Sequence, residues 1–419
     1  MDYFEIEGKN QLFGDVDISG AKNAVLPLMA ASILNNNQLT ISNVPNLSDS
    51  ITMSNLLKGM GSEVDLSSGK IHINSQSLNN PYAPYDLVRT MRASFYVLGP
   101  LLAKFGEAKV SLPGGCAWGP RPVDFHIEGI KQLGATVDLE EGYIIAKSNQ
   151  LKGNKIVFPK ISVGATGNVL MASILADGDT EIHNAAAEPE IQQLCHFLNS
   201  MGAKISGIGT NILQIEGVTS LQNVDSVDVI PDRIEAGTFL MGVAATGGEV
   251  KLNKVNPDHL KTIISCLEHA NVNIRVENDS ITILSDGNIN PYDIETNEYP
   301  GFATDLQAQW MLLMSVASGD STLKENIYFD RFNHVPELNR LGCDISVDLK
   351  TATASIKGKR KLIAANVTST DLRASAALIL AALCAEGTSI INRVYHIDRG
   401  YDNIEEKFSK IGAKIARKK

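Results

Sequence analysis

Cationic residues recur at one position of a repeated sequence pattern. Related phrases about 70 residues apart each precede an apolar run rich in Ala, Leu and Met: SGAKNA, RTMRAS, VGATGN, PDRIEAG, ATDLQAQ and STDLRAS. Four of them carry a cation, at Lys22, Arg92, Arg233 and Arg373. Each phrase lies where a strand is expected to pass into a helix, and a helix N-terminus attracts anions. The pattern predicts anion binding, although an N-cap or a surface ion pair would explain any single residue.

A glycine- and proline-rich segment carries a candidate reactive thiol. SLPGGCAWGPRPVDFH, which begins at Ser111, holds three Gly and three Pro around Cys116 and Arg121, a composition typical of a shaped loop. A thiol near cations gains thiolate character, so Cys116 is predicted to be functional. The other four cysteines fall within helix or strand patterns, which favours buried structural roles: Cys195, Cys266, Cys343 and Cys384.

A third candidate lies near the C-terminus. YHIDRGYDNIEEKF places Asp398 and Arg399 before a helical pattern, where a functional Arg and a capped helix with an Arg–Asp pair are equally good interpretations. None of the eight His forms a ligand pair at helical spacing, and neither a G-x-x-x-x-G-K-[ST] phosphate loop nor a dinucleotide fingerprint occurs. The sequence therefore predicts no metal and no cofactor.

Composition excludes several functional classes. The 37 Lys and Arg against 47 Asp and Glu give a net charge of −10, which disfavours nucleic-acid or anionic-membrane surfaces. The longest apolar stretch, Ala376–Ala385, is about half of the roughly 20 residues that a membrane span needs. The N-terminus lacks an apolar signal core, and the five widely spaced cysteines suit reduced thiols. We expect a cytoplasmic protein, and the sequence identifies no protein partner.

A second repeated phrase shows how the elements are organised. MGSEV, LGATV, MGAKI, LGCDI and IGAKI share an apolar-Gly-small-x-apolar pattern, ANVNI at Ala270 is a degenerate copy, and six such units fill the chain. The first unit predicts a strand (GDVDIS), a buried helix (KNAVLPLMAASIL), a strand (QLTISNVP), a second helix (SDSITMSNLLKGMG) with a Ser/Asp N-cap, and two strands (SEVDLSS and KIHINS). Each unit is thus β-α-β-α-β-β.

Six units allow one open solenoid or two closed groups of three. Terminal solenoid units need polar caps, and none is evident here, so we favour two α/β domains joined near residues 229–231. An active site is then expected in the cleft between the domains.

The motifs carry a family resemblance. SGAKNA, TMRAS, the PGGC loop with RPVD, PDRIE, TDLQAQ, STDLRAS and HIDRGY resemble the UDP-N-acetylglucosamine 1-carboxyvinyltransferases, a family of enolpyruvyl transferases, from residue 1 to residue 419. The resemblance implies two inside-out, barrel-like α/β domains of three repeats each, with the active site in the interdomain cleft. It places the first domain at 22–229, with the catalytic loop, and the second at 1–21 with 230–419.

The resemblance also implies a reaction. The enolpyruvyl group of phosphoenolpyruvate passes to the 3-hydroxyl of UDP-N-acetylglucosamine through a tetrahedral intermediate, phosphate is released, and peptidoglycan synthesis begins, with consequences for cell-wall biogenesis, cell shape, cell division and the cell cycle. One alternative is the shikimate-pathway enolpyruvyl transferase, which lacks a comparable loop cysteine. Another is a catalytically silent regulatory paralogue, which would not need Lys22, Cys116, Asp305 and Arg399 together.

Residue roles follow from the same resemblance. Lys22, Arg92, Arg121 and Arg399 are expected to bind phosphoenolpyruvate, with Arg399 on its carboxylate and with Arg331 and Arg373 completing the positive pocket. Asp305 is the expected base, Cys116 the expected acid, and Asp371 a proton relay or orienting group; the four expected catalytic residues are Cys116, Asp305, Lys22 and Arg399. The nucleotide sugar is expected to contact Asn23, Pro122, Val123, Asp124, Lys160, Ser162, Val163, Gly164 and Ile327.

Overall fold

The described residues form two compact units. The computed structural model describes residues 2–67, 69–112 and 123–419. Residues 2–19 with 231–419 form one unit, which we call the terminal unit because it carries both chain ends. Residues 20–67, 69–112 and 123–230 form the other, the central unit.

Strands and helices alternate along the described residues. The strands, numbered in chain order, are β1 Tyr3–Glu7, β2 Leu12–Asp17, β3 Gln38–Ser42, β4 Glu63–Ser67, β5 Lys70–Asn74, β6 Tyr82–Ala83, β7 Glu107–Ser111, β8 Thr136–Glu140, β9 Tyr143–Lys147, β10 Lys155–Val157, β11 Asp179–His183, β12 Lys204–Ser206, β13 Ile212–Glu216, β14 Ser226–Asp228, β15 Gly248–Asn253, β16 Asn273–Val276, β17 Ser280–Ser285, β18 Ile294–Glu295, β19 Ser321–Lys324, β20 Ile345–Asp348, β21 Thr353–Ile356, β22 Asn366–Thr368, β23 Thr388–Asn392 and β24 Lys414–Lys418.

The α-helices are α1 Lys22–Ala31, α2 Ser48–Gly59, α3 Tyr85–Val88, α4 Leu98–Phe105, α5 Asp124–Gln132, α6 Val163–Ser173, α7 Pro189–Ser200, α8 Arg233–Thr246, α9 Lys261–His269, α10 Gln307–Val316, α11 Val335–Arg340, α12 Leu372–Cys384 and α13 Ile404–Lys410. Short 3₁₀ helices span Ser32–Leu34, Arg92–Val97, Pro257–Leu260, Thr304–Leu306 and Val394–Arg399. No helix in the described ranges is both long and apolar enough to cross a bilayer.

The strands build three four-stranded sheets in each unit. Their strand orders in the central unit are β14-β3-β5-β4, β6-β7-β9-β8 and β10-β11-β13-β12. In the terminal unit they are β16-β17-β15-β2, β18-β19-β21-β20 and β22-β23-β1-β24. Each sheet has one parallel pair, as between β6 and β7, and its other pairs are antiparallel. The sixfold β-α-β-α-β-β prediction is confirmed.

Helices occupy the centre of each unit. In α8 every residue from Ile234 to Ala244 is buried, and in α12 every residue from Arg373 to Cys384. A helix that is apolar on all sides must be covered on all sides. Helices α8, α10 and α12 pack against one another, while the sheets keep exposed positions, as in β16 and β24. The inside-out architecture implied by the resemblance is confirmed.

The turn glycines show that the repeat extends to the backbone. Each apolar-Gly-small-x-apolar phrase places its glycine at positive φ, between 88° and 103°: Gly61, Gly134, Gly202, Gly342 and Gly412. In the degenerate copy Asn271 occupies this position with φ 70°, and Asn is the residue that tolerates left-handed backbone best after Gly. The fourth copy therefore keeps the turn without its glycine.

Three strands depart from simple repeat order. β2, which begins the first repeat, pairs in parallel with β15 in the terminal unit, whereas β14, which begins the fourth, pairs in parallel with β3 in the central unit. β1 lies between β23 and β24 and supplies the last strand of the sixth repeat. The repeats alone did not predict these pairings.

One local prediction was wrong. The N-cap of α2 is Leu47, which makes no side-chain cap bond, and Ser48 is already helical. Asp49 is buried in the first turn and forms an ion pair with Lys22. Asp49 thus makes a tertiary contact in place of the predicted cap.

Packing between central helices predicts an intolerant glycine. A Cβ at Gly99 in α4 would lie 2.1 Å from the carbonyl oxygen of Asn168 in α6, so Gly99→Ala should force the helices apart and cost about 1–3 kcal/mol or more. Thermal unfolding should show a melting temperature lower by several degrees. Gly59→Ala, at a helical glycine with no neighbour within 4 Å, is the matched control and should be neutral or stabilising. Equal melting temperatures for the two variants would contradict this packing.

Candidate active site

Asp305 lies between two arginines in the terminal unit. Arg331 Nη1 is 2.8 Å from Oδ1 of Asp305, and Arg373 Nη2 is 2.8 Å from Oδ2. Both arginine side chains are only 5% exposed, whereas the Asp305 side chain is 26% exposed. The carboxylate therefore faces the accessible side of a buried cationic pair.

The arginines set the charge of Asp305. Burial alone would raise the pKa of the carboxyl, but the charges and hydrogen bonds of Arg373 and Arg331 outweigh it and hold the pKa well below its usual range. Asp305 is ionised and, while both arginines hold it, weakly basic. The structure thus brings together three residues predicted from the sequence, Asp305, Arg331 and Arg373. The two arginines lower the basicity of Asp305, which is the predicted base.

This cluster lies at the starts of two buried helices of the terminal unit. Asp305 lies in the 3₁₀ turn that leads into α10, and Arg373 lies in the first turn of α12. Asp371 caps α12, since its Oδ1 accepts the backbone N–H groups of Arg373 at 2.8 Å and Ala374 at 3.0 Å. Asp371 therefore holds the start of the helix that carries Arg373, and its role as a proton relay or an orienting group stays a prediction.

A buried polar network, which was not predicted from the sequence, contacts Arg373 through Tyr401. The guanidinium lies over the ring of Tyr401, 5.5 Å from its centroid. The Tyr401 hydroxyl is 2.8 Å from Thr238 Oγ1 and accepts from Gln309 Nε2 at 3.3 Å. Burial raises the pKa of Tyr401. Polar residues inside the apolar runs of α8 and α10 were the available signal for this network.

The segment that carries Arg399 is held from the C-terminal strand. Arg399, half-buried, ends the 3₁₀ helix Val394–Arg399. Its neighbour Asp398 accepts two hydrogen bonds from Arg417, at 2.6 and 3.0 Å. Asn403, not Asp398, precedes α13 and makes no side-chain cap bond, so Asp398 does not cap this helix. Burial lowers the pKa of His396, as do the charges of Arg393 and Arg399.

In the central unit, Lys22 begins α1 and is already paired. Its Nζ is 2.6 Å from Asp49 Oδ2, with the two side chains 12% and 5% exposed. Asn23, the next helical residue, is exposed. The sequence predicted the lysine but missed the carboxylate that neutralises it.

Arg92 is the first residue of the 3₁₀ helix Arg92–Val97 and lies near the buried His126 of α5. Burial and the charge of Arg92 lower the pKa of His126 to about 3, so the ring is neutral at physiological pH. His126 Nδ1 is 3.0 Å from Asn168 Nδ2, and a Cβ at Gly164 would lie 3.1 Å from the ring. Arg92 and Gly164 thus share His126 as a neighbour.

The other predicted residues are dispersed along helix starts and loops. Ser162 caps α6 by accepting the N–H of Ala165 at 3.3 Å, and Val163 begins that helix. Val123 is buried at the N-cap of α5, whereas Asp124 and Lys160 are exposed. In the terminal unit Ile327 is half-buried. Cys116, Arg121 and Pro122 lie outside the described residues, and their roles stay predictions.

One surface groove of the central unit lies apart from the predicted site residues. A surface groove of about 580 Å³ runs beside β7 and β9 and is lined by none of the predicted site residues. Within the described ranges, His, Cys, Asp and Glu side chains form no group of three suited to a metal ion.

Comparison with known proteins places the chain in a family. The family profile described as EPSP synthase (3-phosphoshikimate 1-carboxyvinyltransferase) matches residues 6–408. The UDP-N-acetylglucosamine 1-carboxyvinyltransferase of Chloroherpeton thalassium is 52% identical over 420 residues, 100% of this chain and 97% of that protein. The protein of the same name from Koribacter versatilis is 51% identical over 421 residues, 100% of this chain and 96% of its own.

The chain belongs to the EPSP synthase family of carboxyvinyltransferases. Its predicted resemblance to the UDP-N-acetylglucosamine 1-carboxyvinyltransferases within that family is confirmed, and the protein is a transferase. The enolpyruvyl transferase NikO from Streptomyces tendae has the same fold, with a TM-score of 0.90, 23% sequence identity, and coverage of 99% of this chain and 98% of that one.

The cap on α12 can be tested in this family member by separating hydrogen bonding from charge. Asp371→Asn keeps a side-chain oxygen that accepts the N–H groups of Arg373 and Ala374, so the melting temperature should stay near that of the unaltered protein. Asp371→Ala removes the cap and should cost about 1 kcal/mol. Thermal unfolding of the two variants side by side measures the difference. Equal losses in both would mean that the negative charge, and not the cap, stabilises this helix start.

Proposed function

We propose that the protein transfers the enolpyruvyl group of phosphoenolpyruvate to the 3-hydroxyl of UDP-N-acetylglucosamine and releases phosphate. The observation that carries this proposal is about 50% identity, over the whole chain, to proteins with that activity in their names. The cluster of Asp305, Arg331 and Arg373 supports it, because the donor is an anion that needs cations and the acceptor is a hydroxyl that needs a base.

The reaction consists of an addition and an elimination. The sugar oxygen bonds to C2 of phosphoenolpyruvate as its proton passes to a base, assigned to Asp305, and a proton from an acid, assigned to Cys116, is added at C3. Loss of a C3 proton and departure of phosphate then restore the double bond. Asp305 accepts a proton poorly while two arginines hold it. An anionic substrate that engages either arginine would weaken that pairing and increase the basicity of the carboxylate.

The remaining assignments are part of the proposal. Arg399 binds the donor carboxylate and Lys22, Arg92 and Arg121 mainly the phosphate, while Asn23 and the residues around α5 and α6 bind the nucleotide sugar. We assign one domain to residues 22–229 and the other to residues 1–21 with 230–419. We place the reaction in the cytoplasm, as the step that commits precursors to peptidoglycan, so loss of the protein would impair cell-wall biogenesis, cell shape and division.

A phosphate-release assay tests the function directly. The purified protein should release phosphate from phosphoenolpyruvate when UDP-N-acetylglucosamine is present, and mass spectrometry should find the enolpyruvyl ether of the sugar nucleotide. Shikimate 3-phosphate in place of the sugar nucleotide should give no release. Release with shikimate 3-phosphate alone would favour the shikimate-pathway activity, and no release with either acceptor would reject both enzymatic assignments.

The same assay measures the role of Asp305. Asp305→Ala should lower turnover by about 100- to 10,000-fold, the usual range for a positioned base. Asp320→Ala is the control, because Asp320 pairs with Lys357 on the surface of the same unit, with both side chains 59% exposed. A loss of less than about tenfold at Asp305 would assign the base to another group.

Selective alkylation tests the predicted thiol. Burial raises the pKa of each described thiol, to about 11 in Cys266 and Cys343 and to about 12 in Cys195 and Cys384. These four thiols should react slowly, since the thiolate is the nucleophile. An epoxide phosphonate of the fosfomycin type should therefore add one equivalent, mapped by peptide mass spectrometry to Cys116. Comparable labelling of any of the four buried thiols would contradict the special reactivity of Cys116.

A further inference from the structure

A buried carboxylate outside the predicted site lies one hydrogen bond away from it. Glu325 follows β19 directly and is 0% exposed. Its Oε1 accepts the backbone N–H groups of Ile327 and Tyr328, both at 2.9 Å, and its Oε2 accepts the Thr304 hydroxyl at 3.0 Å. A buried carboxylate is costly unless such bonds satisfy it, and the bond from Thr304 also connects Glu325 to a charged partner.

The partner is Arg331, reached through Thr304. Arg331 Nη1 donates to Thr304 Oγ1 at 3.0 Å and is also 2.8 Å from Asp305 Oδ1. An arginine can only donate, so the single proton of the Thr304 hydroxyl must point elsewhere, and Glu325 is the acceptor placed to receive it. The carboxylate thereby turns the lone pairs of Thr304 toward Arg331. The two hydrogens of Nη1 are then divided between Thr304 and Asp305.

The same carboxylate also shapes the chain that carries Arg331. By accepting the N–H groups of Ile327 and Tyr328, Glu325 holds the start of the turn that leads to Arg331, whose backbone N–H donates to the Tyr328 carbonyl at 3.0 Å. Gln307 in α10 donates to the Arg331 carbonyl at 2.9 Å. Contacts that involve Glu325, Thr304 and the start of α10 therefore fix both the backbone and the side chain of Arg331.

We propose that Glu325 is a positioning residue for catalysis: through Thr304 and the turn at Ile327 and Tyr328, it aims Arg331 at Asp305. This inference rests on the proposed function, in which Asp305 is the base. The described contacts of Glu325 are with Thr304, Ile327 and Tyr328, so it acts through Arg331. Removal of the Glu325 carboxylate should leave the fold in place but let Arg331 adopt other positions. The protonation state of Asp305, and the position from which Arg331 releases it when substrate binds, would then no longer be fixed.

The charges around Asp305 give the sign of the expected effect. Arg331 and Arg373 face the carboxylate directly, while Asp232 and Tyr401 act on Arg373. Glu325 and Thr304 act on Arg331 from its other side. Both arginines stabilise ionised Asp305, so loosening Arg331 should raise the pH at which Asp305 takes up a proton, with Arg373 still holding it in part. The acid limb of the activity profile should move to higher pH in the same direction.

Glu325→Gln and Thr304→Val test the proposal without relying on turnover. Aspartate labelled with ¹³C at its carboxyl carbon, with the Asp305 signal assigned by its absence from Asp305→Asn, reports protonation in the unliganded protein. In the unaltered protein Asp305 should stay ionised down to about pH 4, below which free aspartate protonates. In Glu325→Gln and in Thr304→Val its midpoint should rise by about one pH unit or more. Thr304→Ser, which keeps the hydroxyl, should titrate like the unaltered protein.

Kinetics and a matched control complete the test. Turnover should fall about tenfold in Glu325→Gln and in Thr304→Val, and the double variant should lose no more than either alone, because both act on one interaction. Glu337→Gln is the control, since Glu337 also accepts a backbone N–H, that of Thr368 at 2.8 Å, and should change neither titration nor turnover. An unchanged Asp305 midpoint in both Glu325→Gln and Thr304→Val would overturn the proposal. If the unaltered protein forms no product, the proposed function fails, while the titration still decides whether Glu325 positions Arg331.

Discussion

The burial of helices on every side is the constraint on which the rest of this structure depends. A helix such as α12, apolar around its whole circumference, has no face on which to carry polar chemistry. In such helices polar groups lie at the ends, or in the interior where they hydrogen-bond to one another, as Thr238, Gln309 and Tyr401 do. Asp305 and Arg373 accordingly lie at helix starts. The fold thus restricts polar functional groups to the helix ends and to interior positions with hydrogen-bond partners.

The second consequence is electrostatic. The cations Lys22 and Arg373 at helix starts, and Arg331 in a turn, are paired with carboxylates: Lys22 is held by Asp49, and Arg331 and Arg373 share Asp305. The last cluster keeps one net positive charge, which suits a site for an anion. Since the pairing depresses the pKa of Asp305, its contribution to stability is present above the ordinary pKa of aspartate and is lost as the pH falls toward the lower, folded value. Substrate anions would compete for the same arginines.

Periodicity and residue type in the sequence predict helices and strands better than they predict which residues contact one another. Apolar runs and alternating strands gave the elements of the first repeat closely, because burial on all sides or on one face leaves a direct mark on composition. The ion pair between Lys22 and Asp49 and the position of Glu325 were missed, since both depend on contacts between elements distant in the chain. The Ser/Asp cap predicted for α2 also failed: Leu47 is the N-cap, and Asp49 pairs with Lys22 from another helix.

The position of β1 has a consequence for synthesis on the ribosome. Of the described strands, β1 is the first to be synthesised, yet its two neighbours in the sheet, β23 and β24, are the last two, with Tyr3 opposite both Asn392 and Lys418. The central unit draws on one continuous stretch of chain and can fold while translation proceeds. The terminal unit must wait for nearly the whole polypeptide. Until then, β1 on the nascent chain lacks both of its strand partners, and its backbone N–H and C=O groups have no pairing within the sheet.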